Sequence, residues 1–295
     1  MRNQVFFGSG VAVVTPFSLD NSIDLSAFEQ MVNRQIDNKT RAIIVGGTTG
    51  EGSSLTDDER CLLFTTASKL CKNKIPVIGG VCSNVTNTAV HQAKLAEKSG
   101  VDALLIPTPY FNRASQAGII AHFRTICDHT DLPIILYDIP ARTGMQISMN
   151  TYKALMDIPG IVGVKECSAS LARVTELYKN CGHRFGIYSG DDSLNLPIYA
   201  VGGIGCISVT ANILPSAVQK CYDLFVKNDR ENALRMHLHL QKMNHILFCE
   251  NNPSPVKYAL SSMGMCKEVY RLPITKPGEI NCERIDTMLS EYGLL

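Results

Sequence analysis

The chain has 295 residues, 45% of them hydrophobic and 19% charged, with a formal net charge of +1. That is an ordinary globular composition, long enough for one large domain or two smaller ones, and it excludes a disordered or fibrous chain. The near-zero charge leaves no electrostatic footprint for nucleic acid or an anionic membrane, although one local positive group suffices for a small anionic substrate.

Short apolar, β-branched runs recur along the chain. In order they are "VAVVT" (11–15), "AIIVG" (42–46), "IPVIGGV" (75–81), "ALLIP" (103–107), "PIILY" (133–137), "IVGVK" (161–165), "FGIYSG" (185–190) and "GCISV" (205–209). Their starts lie roughly 20 to 35 residues apart, close to the length of one βα unit. Between them lie helix-like segments. "DLSAFEQMVNRQIDN" (24–38) repeats Leu25, Phe28, Val32 and Ile36 at steps of three and four, "NTAVHQAKLAEKSG" (87–100) stops at Gly100, and "TYKALMDIPG" (151–160) is a third. Continuous apolar strands alternating with helices imply a parallel sheet, and eight units favour a closed (β/α)8 TIM barrel over an open doubly wound sheet. From about Leu214 the strands cease, and "SAVQKCYDLFVKN" and "ENALRMHLHLQKMNHILFCE" read as helices. The expected organisation is a barrel over 1–225 and a C-terminal helical region over 226–295.

The 11 cysteines are odd in number and form no C-x-x-C pair, so they read as mostly buried free thiols of a reducing cytosol. "MRNQVFFGSG" lacks the apolar core of a signal peptide, and no apolar run approaches the roughly 20 residues of a membrane span. The expectation is a cytoplasmic protein with no membrane contact.

In such a barrel, chemistry gathers where strands end. Lys165 ends the sixth apolar run. A strand-end lysine ordinarily reaches water. Strict alternation, however, puts Ile161, Gly163 and Lys165 on one face and Val162 and Val164 on the other. With the valines toward the helices, Lys165 points inward beside the space left by Gly163. Desolvation there lowers its pKa and exposes an amine able to form a Schiff base. "GGTTGEG" (46–52) is either a tight strand-to-helix turn or a cradle in which backbone N–H groups and the Thr48 and Thr49 hydroxyls hold a carboxylate. It is neither a P-loop nor a G-x-G-x-x-G. Tyr137 ends the fifth run, as buried strands often do with tyrosine. Arg142, in "ARTG", is a rim ion pair or a carboxylate clamp. His237 and His239 are two apart and share no helix face, so no metal site is expected. Asp191 and Asp192 are adjacent acids on a loop that either bind a cation or, as such pairs more often do, face solvent.

Together, "GGTTGEGSSLTDDER", "YDIPARTG", "GVKECS", "YSGDD", "GCISVTAN" and "NNPSPVKYAL" resemble the dihydrodipicolinate synthase family. That family belongs to the pyruvate-dependent class I aldolase superfamily, with N-acetylneuraminate lyase. The resemblance runs from about Gly8 to the C-terminus. It implies a homotetramer built as a dimer of dimers that condenses pyruvate with L-aspartate 4-semialdehyde in lysine and diaminopimelate biosynthesis, with no cofactor beyond the imine. Carried over by motif, Lys165 forms the imine, Tyr137 moves the proton and Thr48 relays it. Thr49 and the loop amides hold the pyruvate carboxylate, Ile207 and Gly190 line the site, and Arg142 holds the second substrate. Asn84 and Tyr110 match positions of the family's lysine-inhibitor site. Two departures stand out. The relay's second aromatic, usually tyrosine, is Phe111 in "TPYFNR", and an acid that grips the inhibitor's amine is replaced by Thr88, which implies weak lysine inhibition. The competing readings are an aldolase or dehydratase for a 2-keto-3-deoxy sugar acid and a non-catalytic pyruvate-binding regulator. Phenylalanine cannot pass a proton, so Phe111→Tyr is expected to raise turnover. Unchanged turnover would show that protons travel by another route.

Overall fold

The structure is a computed structural model, and it describes residues 4–295. Eight strands form a closed barrel in sequence order: β1 (Gly8–Ala12), β2 (Ala42–Val45), β3 (Val77–Gly80), β4 (Ala103–Pro107), β5 (Ile134–Asp138), β6 (Ile161–Glu166), β7 (Gly186–Ser189) and β8 (Gly205–Ser208). All neighbours are parallel, and β1 closes on β8 from Gly8↔Gly205 to Val11↔Ser208. Parallel strands need a crossover to return, and the intervening helices supply it while covering the outside. The barrel expectation holds, and the open sheet is excluded.

Seven of the eight apolar runs coincide with a strand to within two residues at their start. The exception is β1, which begins at Gly8 rather than Val11. Val13 and Val14 are buried past its end, with the Val13 N–H still donating to the Ile44 carbonyl at 3.1 Å. Strand 1 hides its beginning in glycines, where β8 comes so close that a Cβ on Gly205 would sit 2.3 Å from the Gly8 carbonyl oxygen.

Two apolar clusters divide the molecule. One lies inside the barrel and draws on Ala12, Ile44, Ile78, Leu105, Ile135, Tyr137, Val162, Tyr188 and Ile207. Phe6 plugs it, stacked on Tyr188 with ring centroids 4.4 Å apart, and the Tyr188 hydroxyl donates to the Phe6 carbonyl at 2.9 Å. The other cluster joins the outer strand faces to the helices.

Strict alternation fails in β6. Ile161 and Val164 belong to the outer cluster and Val162 to the inner one. The cause is a register shift: Ile134 pairs with Ile161, but Ile135 pairs with Gly163. One extra residue, Val162, therefore turns every later side chain of β6 over. Lys165 faces inward because of this irregularity and not because of its parity with Ile161. Gly163 serves the sheet, since a Cβ there would lie 2.6 Å from the Gly186 carbonyl oxygen of β7.

After β8 come four longer helices, Pro215–Val226, Arg230–Ile246, Ser254–Ser262 and Glu279–Glu291. Among the described residues no helix is long and apolar enough to cross a membrane. None of the 11 cysteines stands in a disulfide; five are buried and six half-buried.

The last helices are fastened to the barrel by a buried ion pair. Lys257, 0% exposed, bonds Glu51 of the loop after β2 and lies 4.1 Å from the Phe17 ring centroid. Burial holds the Lys257 pKa below its ordinary value, and Glu51 opposes that shift. Arg271 adds a second fastening through Glu59 and the Ser54 carbonyl. Lys257→Met leaves the Glu51 carboxylate buried and unpaired, which costs about 3–5 kcal/mol. A denaturant titration should show that loss, with less than additive damage in Lys257→Met/Glu51→Gln. A loss below about 1 kcal/mol, the range of exposed pairs, would contradict it.

Candidate active site

The C-terminal ends of the strands bring the expected residues to one end of the barrel. Thr48 and Thr49 follow β2, Tyr137 and Lys165 are the penultimate residues of β5 and β6, Gly190 follows β7 and Ile207 lies in β8. Arg142 sits on a single helical turn, Pro140–Thr143, that opens with proline directly after β5. Thr48, Tyr110, Tyr137 and Arg142 line one cavity of about 290 Å³.

Tyr137 and Lys165 are direct partners across the β5–β6 ladder. The Lys165 ammonium lies 4.4 Å from the Tyr137 ring centroid, and Lys165 is 5% exposed. Burial works to lower the lysine pKa. Tyr137, Cys167 and Asp192 face it and outweigh burial, so the pKa stands above its ordinary value. The net shift is upward, where burial alone is expected to lower it. Burial likewise raises the Tyr137 phenol, against the pull of Lys165 and a hydrogen bond with Thr48, so the phenol is protonated at neutral pH.

Behind this pair, on the outer face, Asp138 and Glu166 are also ladder partners. Arg173 bridges them at 3.1 Å and 3.7 Å, and the Tyr152 hydroxyl donates to Asp138 at 2.8 Å. Burial raises both carboxyl pKa values. The bridge ties the two strand ends that carry the inward pair.

The threonine loop turns on its own backbone, with Glu51 N–H donating to the Thr48 carbonyl at 3.1 Å and Gly52 N–H to the Gly47 carbonyl at 3.0 Å. The buried Arg60 donates to the Gly52 carbonyl at 2.7 Å and the Gly80 carbonyl at 3.0 Å. Thr49 is buried, and its Oγ1 accepts from Asn252 Nδ2 at 3.0 Å. Asn252 also offers its main-chain carbonyl to Arg142 at 3.1 Å. The sequence reading passed over Asn252, whose only signal was its place in "NNPSPVKYAL".

Asp192 corrects another expectation. It is buried, and its carboxylate accepts from the Val209 and Thr210 amides, both at 2.9 Å, and from Asn195 at 3.0 Å. It pins the chain beyond β8, and only Asp191 of the two is half-buried.

Asn84 reaches the Tyr110 carbonyl at 3.2 Å. Phe111 turns away from the cavity, 90% exposed, with φ at +67°. Holding a bulky side chain in the left-handed region costs about 1–3 kcal/mol.

Comparison with known proteins agrees with this geometry. The sequence profile of the Dihydrodipicolinate synthetase family matches residues 5–291. The chain is 41% identical over 291 residues to 4-hydroxy-tetrahydrodipicolinate synthase of Alkaliphilus oremlandii, covering 99% of this chain and 100% of the relative. The crystal structure of dihydrodipicolinate synthase from Aquifex aeolicus superposes with a TM-score of 0.95 at 38% identity, over 98% of this chain and 99% of that one. The enzyme from Cyanidioschyzon merolae, solved with lysine bound, gives a TM-score of 0.95 at 35% identity, over 99% and 100%.

Gly190 is held to its size by Cys167 and the Lys165 side chain. A Cβ there would lie 2.0 Å from Cys167 Sγ and 2.9 Å from Lys165 Cε. Gly190→Ala is expected to displace Lys165 and slow its borohydride-trapped reaction with a small carbonyl compound by about 100-fold. A wild-type rate would show that Gly190 does not set the position of the amine.

Proposed function

The chain belongs to the dihydrodipicolinate synthetase family, and from that premise we propose that it condenses pyruvate with L-aspartate 4-semialdehyde through an imine on Lys165. The observation that carries this reading is the buried pairing of Lys165 with Tyr137, 4.4 Å from ammonium to ring, beside the Thr48–Thr49 loop. An amine, a protonated phenol and a carboxylate cradle are what imine chemistry on a 2-oxo acid requires.

The steps follow from the groups present. Thr49 and the loop amides bind the pyruvate carboxylate and hold its keto carbon over Lys165. The ammonium yields a proton, the nitrogen attacks the keto carbon, and the keto oxygen leaves as water after protonation by way of Tyr137. Loss of a methyl proton gives the enamine, which attacks the aldehyde carbon. The new alkoxide takes a proton from Tyr137, with Thr48 as relay. The substrate's own amine then displaces Lys165 from the imine carbon, closing the ring to 4-hydroxy-tetrahydrodipicolinate. The iminium is the electron sink, so this scheme calls for no cofactor. Arg142, exposed at the cavity mouth, holds the carboxylate of the second substrate, and Ile207 and Gly190, at the ends of β8 and β7, are assigned to the same site on the family premise.

We assign the protein to the cytosol on its 11 cysteines, none of them in a disulfide, and to a homotetramer on the family premise. A ring at Phe111 that is 90% exposed on a strained backbone supports contact with a second copy. Asn84 and Tyr110 form the remnant of a lysine site, beside an exposed Thr88 that offers no charge to an amine.

An assay with purified protein tests the substrate. Pyruvate with aspartate semialdehyde is expected to give product, abolished in Lys165→Arg, while free lysine inhibits weakly. Cleavage of a 2-keto-3-deoxy sugar acid without condensation would replace this reading by the competing aldolase, and strong lysine inhibition would contradict the assignment of Thr88.

A further inference from the structure

The Thr49 hydroxyl has a partner from outside the barrel. Asn252 stands 203 positions further along the chain, just ahead of the helix Ser254–Ser262. Its Nδ2 donates to Thr49 Oγ1 at 3.0 Å, and both residues are buried. Asn252 Oδ1 is also buried, and no group among the described residues bonds it. The amide thus commits its donor, not its acceptor, to the threonine.

That polarity matters chemically. A hydroxyl has one proton and two lone pairs. A hydroxyl that already accepts from an amide keeps its proton for another acceptor, and a carboxylate in the pocket is one. Had Asn252 presented its oxygen, it would have drawn the Thr49 proton away. The main chain of the same residue does a separate task, since its carbonyl accepts from Arg142 at 3.1 Å. Asn252 touches both arms of the site, one through its side chain and one through its backbone.

We propose that Asn252 is a positioning residue that aims the Thr49 hydroxyl proton at the pyruvate carboxylate through its side chain, while its main-chain carbonyl anchors Arg142. The proposal rests on the pyruvate reading above.

The division of labour makes the two substrates respond differently. Asn252→Ala removes the side-chain bond and keeps the carbonyl. KM for pyruvate should rise about tenfold, the range of one lost hydrogen bond to a charged group, while KM for aspartate semialdehyde stays within about twofold. In a Thr49→Val background, Asn252→Ala should add nothing further to the pyruvate KM, because the hydroxyl it orients is gone. KM does not depend on how much of a variant folds, so partial misfolding cannot imitate this pattern. Asn252→Asp serves as the second variant: a carboxylate can only accept, so the Thr49 proton turns toward it and the pyruvate KM rises further. A wild-type pyruvate KM in either variant, an equal rise for both substrates in Asn252→Ala, or full additivity with Thr49→Val would overturn the proposal. If wild-type protein fails to form a pyruvate adduct at all, the functional reading falls instead, and the two failures are distinguishable.

Discussion

The site depends on one irregularity in the sheet. Between Ile161 and Gly163 the β6 ladder gains a residue, and the following side chains change faces. In an unbroken register Val164 would stand opposite Tyr137, and Lys165 would face the helices with Asp138. The extra residue puts Lys165 opposite Tyr137 inside the barrel and puts Glu166 opposite Asp138 outside. The inner pair faces the barrel interior, and the outer pair is locked by Arg173. A period-two structure has only two choices of face, so a single inserted residue decides whether Lys165 points into this barrel or out toward the helices.

A second constraint comes from the end of the chain. The helices after β8 do more than cover the barrel. Lys257 and Arg271 grip Glu51, Ser54 and Glu59 around the threonine loop, and Asn252 reaches the hydroxyl at its centre. The threonine loop is thus set partly by residues some 200 positions away in sequence. Such long-range support explains how a loop of glycines and threonines keeps one geometry, as a binding site requires.

Much of this was legible in the amino-acid order. Fully buried parallel strands read as unbroken apolar runs, so β2 to β8 were visible as such, and the strand ends carried Tyr137 and Lys165 in plain view. What escaped notice has physical reasons. The start of β1 is glycine-rich because backbones approach closely there, and glycine does not resemble a strand. The irregularity in β6 leaves no compositional mark, and simple alternation reached the right face for Lys165 from the wrong face for Ile161. Asp192 looked like a surface acid because its partners are backbone amides beyond β8, which no side-chain pattern announces. The direction of the lysine pKa shift depended on Tyr137, Cys167 and Asp192 converging in space, and the bond from Asn252 to Thr49 depended on folding alone.

The central claim is that the inward-facing Lys165 is the nucleophile. Incubation with pyruvate and borohydride, followed by mass mapping of the peptides, tests it most directly. The account predicts one reduced pyruvate adduct, on Lys165, absent in Lys165→Arg. An adduct on a different lysine, or none in the folded wild-type protein, would contradict it.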